Sequence, residues 1–288
     1  MSNSQAEYPA SKGGAEKIFA PEAGGSRQEK GYQINGASFA YNGVPALHGL
    51  NIGLPAGKFY GVVGPNGCGK TTFLDLLVAN KRPDTGTVSF NRVAVNHYKR
   101  RDLARQVALV PQDFAIGFAF TVEEVVLMGR HPHIKRFSSP SGQDWQFVED
   151  AMATIGISQY RQRYVNELSG GEKQRVVVAR SLAQNTAVLL FDEATANLDV
   201  RYTLQIFNVA RALVEKEGRT VIAVIHNLNL AAAYCDEILF MKKGRILEHG
   251  PVAEVMEPAI ISEVFGVESE VRIDPFNQAR QVSFKYQG

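Results

Sequence analysis

One short segment, Gly64–Thr71, limits the folds available to this chain more than any other part of it. The segment reads Gly-Pro-Asn-Gly-Cys-Gly-Lys-Thr and fits the pattern GxxxxGK[ST]. It follows an apolar run, Phe59–Val63, that predicts a strand, and it opens a helical pattern at Lys70. Glycines let such a loop curl until its backbone N–H groups converge on phosphate oxygens, while the lysine adds positive charge and Thr71 a hydroxyl for Mg²⁺. The sequence therefore predicts a nucleotide site between a strand and a helix.

The composition is that of an ordinary globular protein and excludes several classes of function. The 288 residues carry 31 basic and 29 acidic side chains, and a net charge of +2 is too small to indicate a nucleic-acid-binding surface. Two cysteines, Cys68 and Cys235, cannot form a disulfide scaffold and argue against a cysteine-based metal site. No apolar run approaches the about 20 residues of a membrane helix, and no secretory signal is recognisable. We therefore expect any role at a membrane to depend on a partner.

Strand and helix patterns alternate along most of the chain and predict a parallel α/β fold. Residues 1–30, rich in Ser, Gly, Ala, Gln and Glu, predict a disordered N-terminal tail. The segments 31–113 and 171–250 predict a nucleotide-binding core that opens with short strands. A mostly helical insert, 114–170, separates them, and 251–288 forms a C-terminal extension.

Local signals predict several elements within this plan. Thr121–Glu124 is a capping box at the start of an apolar helix. Two segments, Ile238–Met241 and Arg245–Glu248, flank the pair Lys243-Gly244 and predict a hairpin. From Pro251 onward, the pattern indicates one helix and a short pair of strands.

Two carboxylates follow the apolar run Val188–Phe191. Ligands of open α/β sheets bind beyond the carboxyl ends of the strands. Asp192 is therefore suited to hold Mg²⁺, and Glu193 to orient or deprotonate an attacking water. Such a pair alone is also a common solvated strand end, but the upstream phosphate loop favours the functional interpretation.

A second glycine-containing segment, Leu168–Glu172, reads Leu-Ser-Gly-Gly-Glu and precedes a helical pattern. Ser169 and Glu172 form a capping box, which is the purely structural interpretation. A helix N-terminus with exposed N–H groups is also an anion site. One nucleotide needs one phosphate cradle, and a second cradle is explained if it serves the nucleotide bound by another copy of the chain.

These motifs occur in the order found in ABC-transporter ATPases, and 31–288 resembles that family. The resemblance rests on the phosphate loop, the LSGGE segment, the acidic strand end, Asn197–Asp199 and a histidine, His226, at a strand end. It implies a P-loop NTPase core with an N-terminal antiparallel β subdomain and a helical subdomain insert. It also implies ATP and Mg²⁺ as cofactors, and a homodimer on the cytoplasmic face of the membrane. The partners would be permease subunits and, indirectly, a substrate-binding protein, with no nucleic acid.

The resemblance also implies roles for single positions. Tyr41 would stack on adenine, Gln112 would touch Mg²⁺ and sense the permease, and Asp199 would lie in the loop that links two copies. His226 would hold the γ-phosphate and the water. The plainer alternatives are a strand aromatic for Tyr41, a loop polar residue for Gln112 and a structural histidine for His226.

Larger sets complete this assignment. The catalytic set would be Glu193, His226, Gln112 and Lys70, and the Mg²⁺ set Thr71, Gln112 and Asp192. ATP would bind to Tyr41, Gly64, Pro65, Asn66, Gly67, Cys68, Gly69, Lys70, Thr71 and Thr72. The partner's ATP would meet Ser169, Gly170, Gly171 and Glu172.

Three positions depart from the family pattern. Glu172 stands where many relatives have Gln, Ala194 where Pro is usual, and Asn227 where Asp is usual. None of these removes a contact to phosphate, Mg²⁺ or water, so we expect an active ATPase with the effect on its rate left open.

The cargo rests on resemblance alone. Four segments are similar to the ATPases of importers for ferric siderophores, haem and cobalamin: Leu103–Gln112, Thr121–His133, His226–Ala231 and Phe265–Glu268. Zinc, manganese or molybdate importers are the alternative. A soluble ABC ATPase of translation or DNA repair is disfavoured by the single cassette, and a non-hydrolysing regulatory module by the intact Glu193 and His226.

Aromatic and histidine residues of the insert allow two further interpretations. Phe114, Phe118 and Phe120 lie close to Gln112 in sequence, and either form part of a docking pocket for a permease helix or pack inside the insert. His131 and His133 are interpreted as loop residues, since no third metal ligand lies near them in sequence.

Overall fold

A computed structural model describes residues 30–112, 118–195 and 198–285. The predicted tail, apart from Lys30, lies outside the described residues, as do Phe114 and Asn197. The strands are β1 (Gly31–Tyr41), β2 (Val44–Pro55), β3 (Phe59–Val63), β4 (Thr85–Phe90), β5 (Val93–Ala94), β6 (Val107–Val110), β7 (Val188–Asp192), β8 (Thr220–Val224), β9 (Glu237–Lys242), β10 (Arg245–Pro251), β11 (Ser269–Ile273) and β12 (Arg280–Phe284). The helices are α1 (Lys70–Leu77), α2 (Arg100–Ala104), α3 (Val122–Met128), α4 (Gly142–Ile155), α5 (Gly170–Ala183), α6 (Val200–Glu217), α7 (Leu228–Tyr234), α8 (Val252–Val255) and α9 (Pro258–Phe265).

The larger sheet has six strands in the order β10-β9-β3-β8-β7-β6. The last five are parallel, and β10 pairs antiparallel with β9 at one edge, as the Lys-Gly hairpin predicted. Phe59 pairs with Val221, and Val107 with Val188. Parallel strands are covered on both faces, which explains why they are continuous apolar runs. The predicted α/β fold is confirmed.

The smaller sheet is antiparallel, in the order β2-β1-β4-β5. Tyr41 of β1 pairs with Val44 of β2 across a turn at Asn42 and Gly43. Both turn residues have positive φ, 49° and 83°, which is the geometry of a tight hairpin. This hairpin end lies against the Gly64–Thr71 loop, and it therefore places Tyr41 beside the start of α1.

The larger sheet is the middle layer of the fold. Along β3, Phe59 and Val63 belong to a buried cluster that includes side chains of α5, α6 and α7. The alternate residues Tyr60 and Val62 belong to a second cluster formed with α1 and the smaller sheet. Side chains of a strand point alternately to opposite faces, so each face of the sheet has its own core.

The insert is helical, as predicted, and packs on α5. The capping box at Thr121 is present, with the side chain of Glu124 bonded back to the cap. Val125, Met152 and Val176, from α3, α4 and α5, are fully buried in one cluster. Within the described parts of the chain, no helix is long and apolar enough to cross a membrane.

The C-terminal extension contains two helices where the sequence pattern indicated one. Pro258 begins α9, and because proline lacks an N–H and disfavours helical geometry in the preceding residue, α8 cannot run into α9. The predicted pair of strands is present as β11 and β12. The amide side chain of Asn229 in α7 pairs with the backbone of Val282 in β12, since its Oδ1 accepts from the Val282 N–H at 2.6 Å and its Nδ2 donates to the Val282 carbonyl at 3.3 Å.

Candidate nucleotide-binding site

Four neighbouring parallel strands end at one edge of the larger sheet and bring the predicted site residues together. The phosphate loop follows β3, His226 follows β8, Asp192 and Glu193 end β7, and Gln112 follows β6. Residues far apart in sequence thereby meet, because β3, β8, β7 and β6 are adjacent in the sheet. This is the edge at which ligands of open α/β sheets bind.

A cavity of about 690 Å³ opens at this edge. Its walls come from the β1–β2 hairpin, the phosphate loop and the three other strand ends. The lining residues are Tyr41, Val44, Pro45, Ala46, Asn66, Gly67, Gly69, Lys70, Thr71, Thr72, Gln112, Glu193 and His226. Val44, Pro45 and Ala46 were not predicted, because no motif marks them and only the fold places the hairpin end here.

Two glycines of the phosphate loop are required by close packing. A Cβ on Gly64 would lie 2.1 Å from the carbonyl oxygen of Met241, and φ is 158°. A Cβ on Gly69 would lie 2.7 Å from Leu47 Cδ2, and φ is 105°. Side chains at either position would force the loop away from β9 or the hairpin, so these contacts fix its curl.

Lys70 is directed into the loop. Its side chain is buried, and the ammonium Nζ donates to the carbonyl oxygens of Gly64 at 2.9 Å and Pro65 at 3.0 Å. Gly69 caps α1 without a side-chain hydrogen bond to the first turn. The backbone N–H groups at this helix start and the ammonium together form an electropositive cradle that suits phosphate.

The buried carboxylate of Asp192 lies next to the hydroxyl of Thr71, which lines the cavity. The Thr71 hydroxyl donates to Asp192 Oδ1 at 3.1 Å. Burial, with the nearby charge of Glu193, raises the pKa of the Asp192 carboxyl to about 6. A divalent cation would offset that cost, and an all-oxygen donor set is the kind that Mg²⁺ prefers. The residues present therefore fit a magnesium ion.

Glu193 and His226 form a direct pair. His226 Nε2 lies 2.6 Å from Glu193 Oε1. Glu193 has a φ of 51°, a left-handed conformation that costs energy for a residue other than glycine. This backbone turn at the end of β7 directs the carboxylate toward the β8 end, where the histidine lies. Strained backbone of this kind is often found at functional sites.

Tyr41 stands at the open side of the cavity. Its side chain is partly exposed, and its hydroxyl lies 3.2 Å from Thr72 Oγ1. Lys81 Nζ lies 5.0 Å from the centre of the Tyr41 ring and 3.5 Å from Asp75 Oδ2. Sequence reasoning missed Lys81, since no spacing pattern links it to a tyrosine 40 positions earlier.

The predicted trans segment caps α5 and does not line this cavity. Ser169 Oγ and the Ser169 N–H donate to Glu172 Oε2 at 2.7 and 2.8 Å, and the Glu172 N–H donates to Ser169 Oγ at 3.4 Å. Hydrogen bonds from Ser169 lower the pKa of Glu172 to about 2. Gly170 and Gly171 form the first helical turn. These four residues lie apart from the chain's own phosphate loop cavity.

Asp199 and Asn227 act locally as helix caps. Asp199 Oδ1 accepts from the Tyr202 N–H at 3.0 Å at the start of α6, and it does not line the cavity. Asn227 Oδ1 accepts from the N–H groups of Asn229 and Leu230 at 2.9 and 3.2 Å. Asparagine thus caps α7 as an aspartate would. Ala194, another position that departs from the family pattern, is buried.

The aromatic and histidine residues of the insert separate into two environments. Phe118 is 77% exposed, whereas Phe120 is partly buried against the core. His133 Nε2 lies 2.9 Å from the Gln184 carbonyl oxygen, at the end of α5. Among the described residues, no group of three metal-ligating side chains occurs, at these histidines or elsewhere.

Comparison with known sequences gives a consistent result. The profile of the family described as ABC transporter matches residues 47–196. A cobalamin import ATP-binding protein of Halobacterium salinarum is 40% identical over 250 residues, which are 87% of this chain but only 62% of that relative. An iron(3+)-hydroxamate import ATP-binding protein of Bacillus subtilis is 38% identical over 78% of this chain and 84% of its own length. A hemin import ATP-binding protein of Rhodopseudomonas palustris is 35% identical over 83% of this chain and 91% of its own length.

Solved structures share the fold. A metal-chelate type ABC transporter in an inward-facing conformation superposes with a TM-score of 0.77 at 26% identity, over 90% of this chain and 98% of that one. A dimeric ATP-binding cassette in a post-hydrolysis state, bound to ADP and Pi, gives a TM-score of 0.69 at 25% identity, over 77% of this chain and 98% of that one. By its sequence and its fold, the chain belongs to the ABC transporter family.

Proposed function

We propose that the chain is the ATP-binding and ATP-hydrolysing subunit of an importer for iron chelates, haem or cobalamin. The observation that carries this proposal is that one cavity brings together a phosphate cradle, an aromatic wall and the Glu193–His226 pair. The curated relatives named above are ATP-binding proteins of cobalamin, iron(3+)-hydroxamate and hemin import. The cargo class comes from them.

The cradle would bind the triphosphate and the hairpin would bind the base. Lys70 exchanges its two loop carbonyls for β- and γ-phosphate oxygens, which are stronger acceptors for an ammonium. Tyr41, partly exposed at the cavity mouth, offers a ring face to adenine. Thr71, Asp192 and Gln112 would hold Mg²⁺, which supplies positive charge to the phosphates.

Hydrolysis would use the pair at the β7 and β8 ends. Glu193 accepts a proton from the water or orients it for in-line attack on the γ-phosphorus. His226 holds the carboxylate through the 2.6 Å contact and donates toward the γ-phosphate oxygens when that phosphate is present. The strained turn at Glu193 keeps the carboxylate at the strand end.

A dimer would complete each site. The N-terminus of α5 has helix N–H groups and two glycines, yet it lies apart from the chain's own cavity. A second copy can present this end to the γ-phosphate, with Ser169 and Gly171 in contact. Two ATP molecules would then be clamped between two copies, and hydrolysis would release the clamp.

The helical insert would pass this motion to a permease. We assign the core to 31–113 and 171–250, the helical subdomain to 114–170 and the extension to 251–288. The exposed Phe118 follows the Gln112 segment and offers an apolar contact for a permease helix. The subunit would therefore act as a peripheral protein on the cytoplasmic face of the membrane, and a substrate-binding protein would select the cargo.

Uptake by cells that lack the gene tests this function. Labelled ferric siderophore, haem and cobalamin are supplied in turn, with wild type or Glu193→Gln restored from a plasmid. Loss of one cargo, rescued by wild type but not by Glu193→Gln, is the expected result. Zinc, manganese and molybdate form the second panel, and loss of one of these instead would overturn the cargo class while leaving the ATPase role intact.

A further inference from the structure

A buried arginine joins α5 to α6. Arg175 is 4% exposed, and its guanidinium carbon lies 3.9 Å from the centre of the Tyr202 ring. Its Nη1 donates a long hydrogen bond of 3.4 Å to the Gly156 carbonyl oxygen, and its Nε has no hydrogen-bond partner among the described residues. The Tyr202 ring thus covers a buried guanidinium whose hydrogen bonding is incomplete, and a desolvated cation is the setting in which a cation–π contact contributes most.

Each end of this stack lies close to a residue that is expected to contact the second copy in the proposed dimer: Ser169 on one side and Asp199 on the other. On α5, Arg175 is one turn beyond Glu172, which holds Ser169 in the capping box. On α6, the N–H of Tyr202 donates to Asp199 at 3.0 Å. The stack therefore joins α5, one turn beyond Glu172, to the first turn of α6, whose backbone is bonded to Asp199.

Tyr160 strengthens the α5 end of this connection. Its ring centre lies 5.9 Å from the Arg175 guanidinium carbon, so this guanidinium lies near two aromatic rings. Arg175, in the second turn of α5, thus contacts Tyr160, which precedes α5 in the chain, and Tyr202 of α6. Among the described residues, no side-chain hydrogen bond or ion pair joins Ser169 or Glu172 directly to α6, because their side chains bond to each other.

We propose that Arg175 and Tyr202 are positioning residues that set the Ser169 segment and the Asp199 loop at a fixed distance and angle, so that a second copy meets both at once. The inference rests on the proposed ATP-dependent dimer. Neither residue lines the nucleotide cavity, so the pair acts on dimer closure and leaves ATP binding by one copy unchanged. If the two segments moved independently, each would have to be ordered during closure, and that entropy would weaken the dimer.

The test uses the full chain carrying Glu193→Gln, so that bound ATP is retained. Tyr202→Leu and Arg175→Met remove the stack, and the double variant removes both partners. Tyr202→Phe keeps the ring and serves as the conservative variant. Phe147→Leu is the matched control, because Phe147 has the same kind of stack, 4.1 Å from the guanidinium carbon of Arg130, at the other end of α5. Dimerisation with Mg·ATP is measured by sedimentation, and ATP binding at low protein concentration by a fluorescent ATP analogue.

Tyr202→Leu and Arg175→Met should each raise the dimer dissociation constant about tenfold, the effect of losing one desolvated cation–π contact. The double variant should be no worse than either single variant, because all three lose the same interaction. Tyr202→Phe and Phe147→Leu should stay within about twofold, and ATP binding by the single copy should be unchanged in every variant. If Arg175→Met does not fold, the comparison of Tyr202→Leu with Tyr202→Phe decides the matter.

Two results would overturn the inference in different ways. A parent chain that dimerises with Mg·ATP, and a Tyr202→Leu variant that dimerises equally well, would remove the positioning role and leave the proposed function standing. A parent chain that binds ATP but forms no dimer would overturn the proposed clamp, and the positioning role would fall with it. Equal weakening of ATP binding and dimerisation would assign the pair to general stability instead.

Discussion

Replacing Asp192 with asparagine should stabilise the metal-free and nucleotide-free protein at high pH more than at low pH. Burial raises the pKa of the Asp192 carboxyl from 3.8 to about 6. The Asp192 carboxyl therefore keeps its proton to a higher pH in the folded chain than in the unfolded chain. As a result, the free energy of unfolding of wild type falls as the pH rises from about 4 to about 6. Two pKa units correspond to about 3 kcal/mol, of which about half falls between pH 5 and pH 8. Asparagine carries no charge and avoids this loss.

Urea unfolding in the presence of EDTA measures the effect. The free energy of unfolding of Asp192→Asn, relative to wild type, should rise by about 1.4 kcal/mol from pH 5 to pH 8. Asp144→Asn is the control. Although burial opposes it, hydrogen bonds from Ser141 and Arg130 lower the pKa of Asp144, so that carboxyl is ionised in both states across this range and its difference from wild type should not depend on pH. If the difference in unfolding free energy between Asp192→Asn and wild type were the same at pH 5 and pH 8, the reasoning would be refuted. The Asp192 carboxyl would then have no raised pKa in the folded protein.

Three further substitutions test the site and its surroundings. Glu193→Gln should lower phosphate release about 10³-fold while ATP binding is retained, and equal turnover would remove Glu193 from the chemistry. Glu172→Gln keeps the capping box but removes a charge from the start of α5, so thermal unfolding should show a loss of about 0.5 kcal/mol, and a variant more stable than wild type would contradict that account. Phe118→Asp should leave ATP hydrolysis by the isolated subunit unchanged yet reduce uptake in cells, and undiminished uptake would exclude Phe118 as a permease contact.

The sequence predicted most of the strands and helices and the Gly64–Thr71 loop, because these depend on neighbours in the chain. Glycines at 64 and 69, the apolar run before them and the capping boxes at Thr121 and Ser169 are local patterns, and each local pattern agrees with the final fold. The strand ends that carry Asp192 and His226 were recognised in the same way.

The sequence could not predict contacts that depend on how distant segments pack. Lys81, which follows α1 in the chain, lies over Tyr41 because α1 packs against β1. No spacing pattern in the sequence predicts that contact. The stack of Arg175 on Tyr202 joins two helices, and each residue alone is an ordinary helical residue. Phe120 shows the same limit, since only the fold distinguishes its partly buried ring from the exposed ring of Phe118.

The pairing of Asn229 with the backbone of Val282 has a consequence for the order in which the chain is built. The two residues are 53 positions apart, and α7, the helix that begins just after His226, has its amide partner on the later strand. A ribosome adds about 5–20 residues per second, so the strand is made roughly 3–10 s after the helix that it fastens. During that interval Asn229 must satisfy its polar atoms with water, and the helix beside the histidine acquires its final attachment only when the hairpin closes on it. Assembly of the sheet edge that carries His226 is therefore completed, during translation, from the C-terminal side.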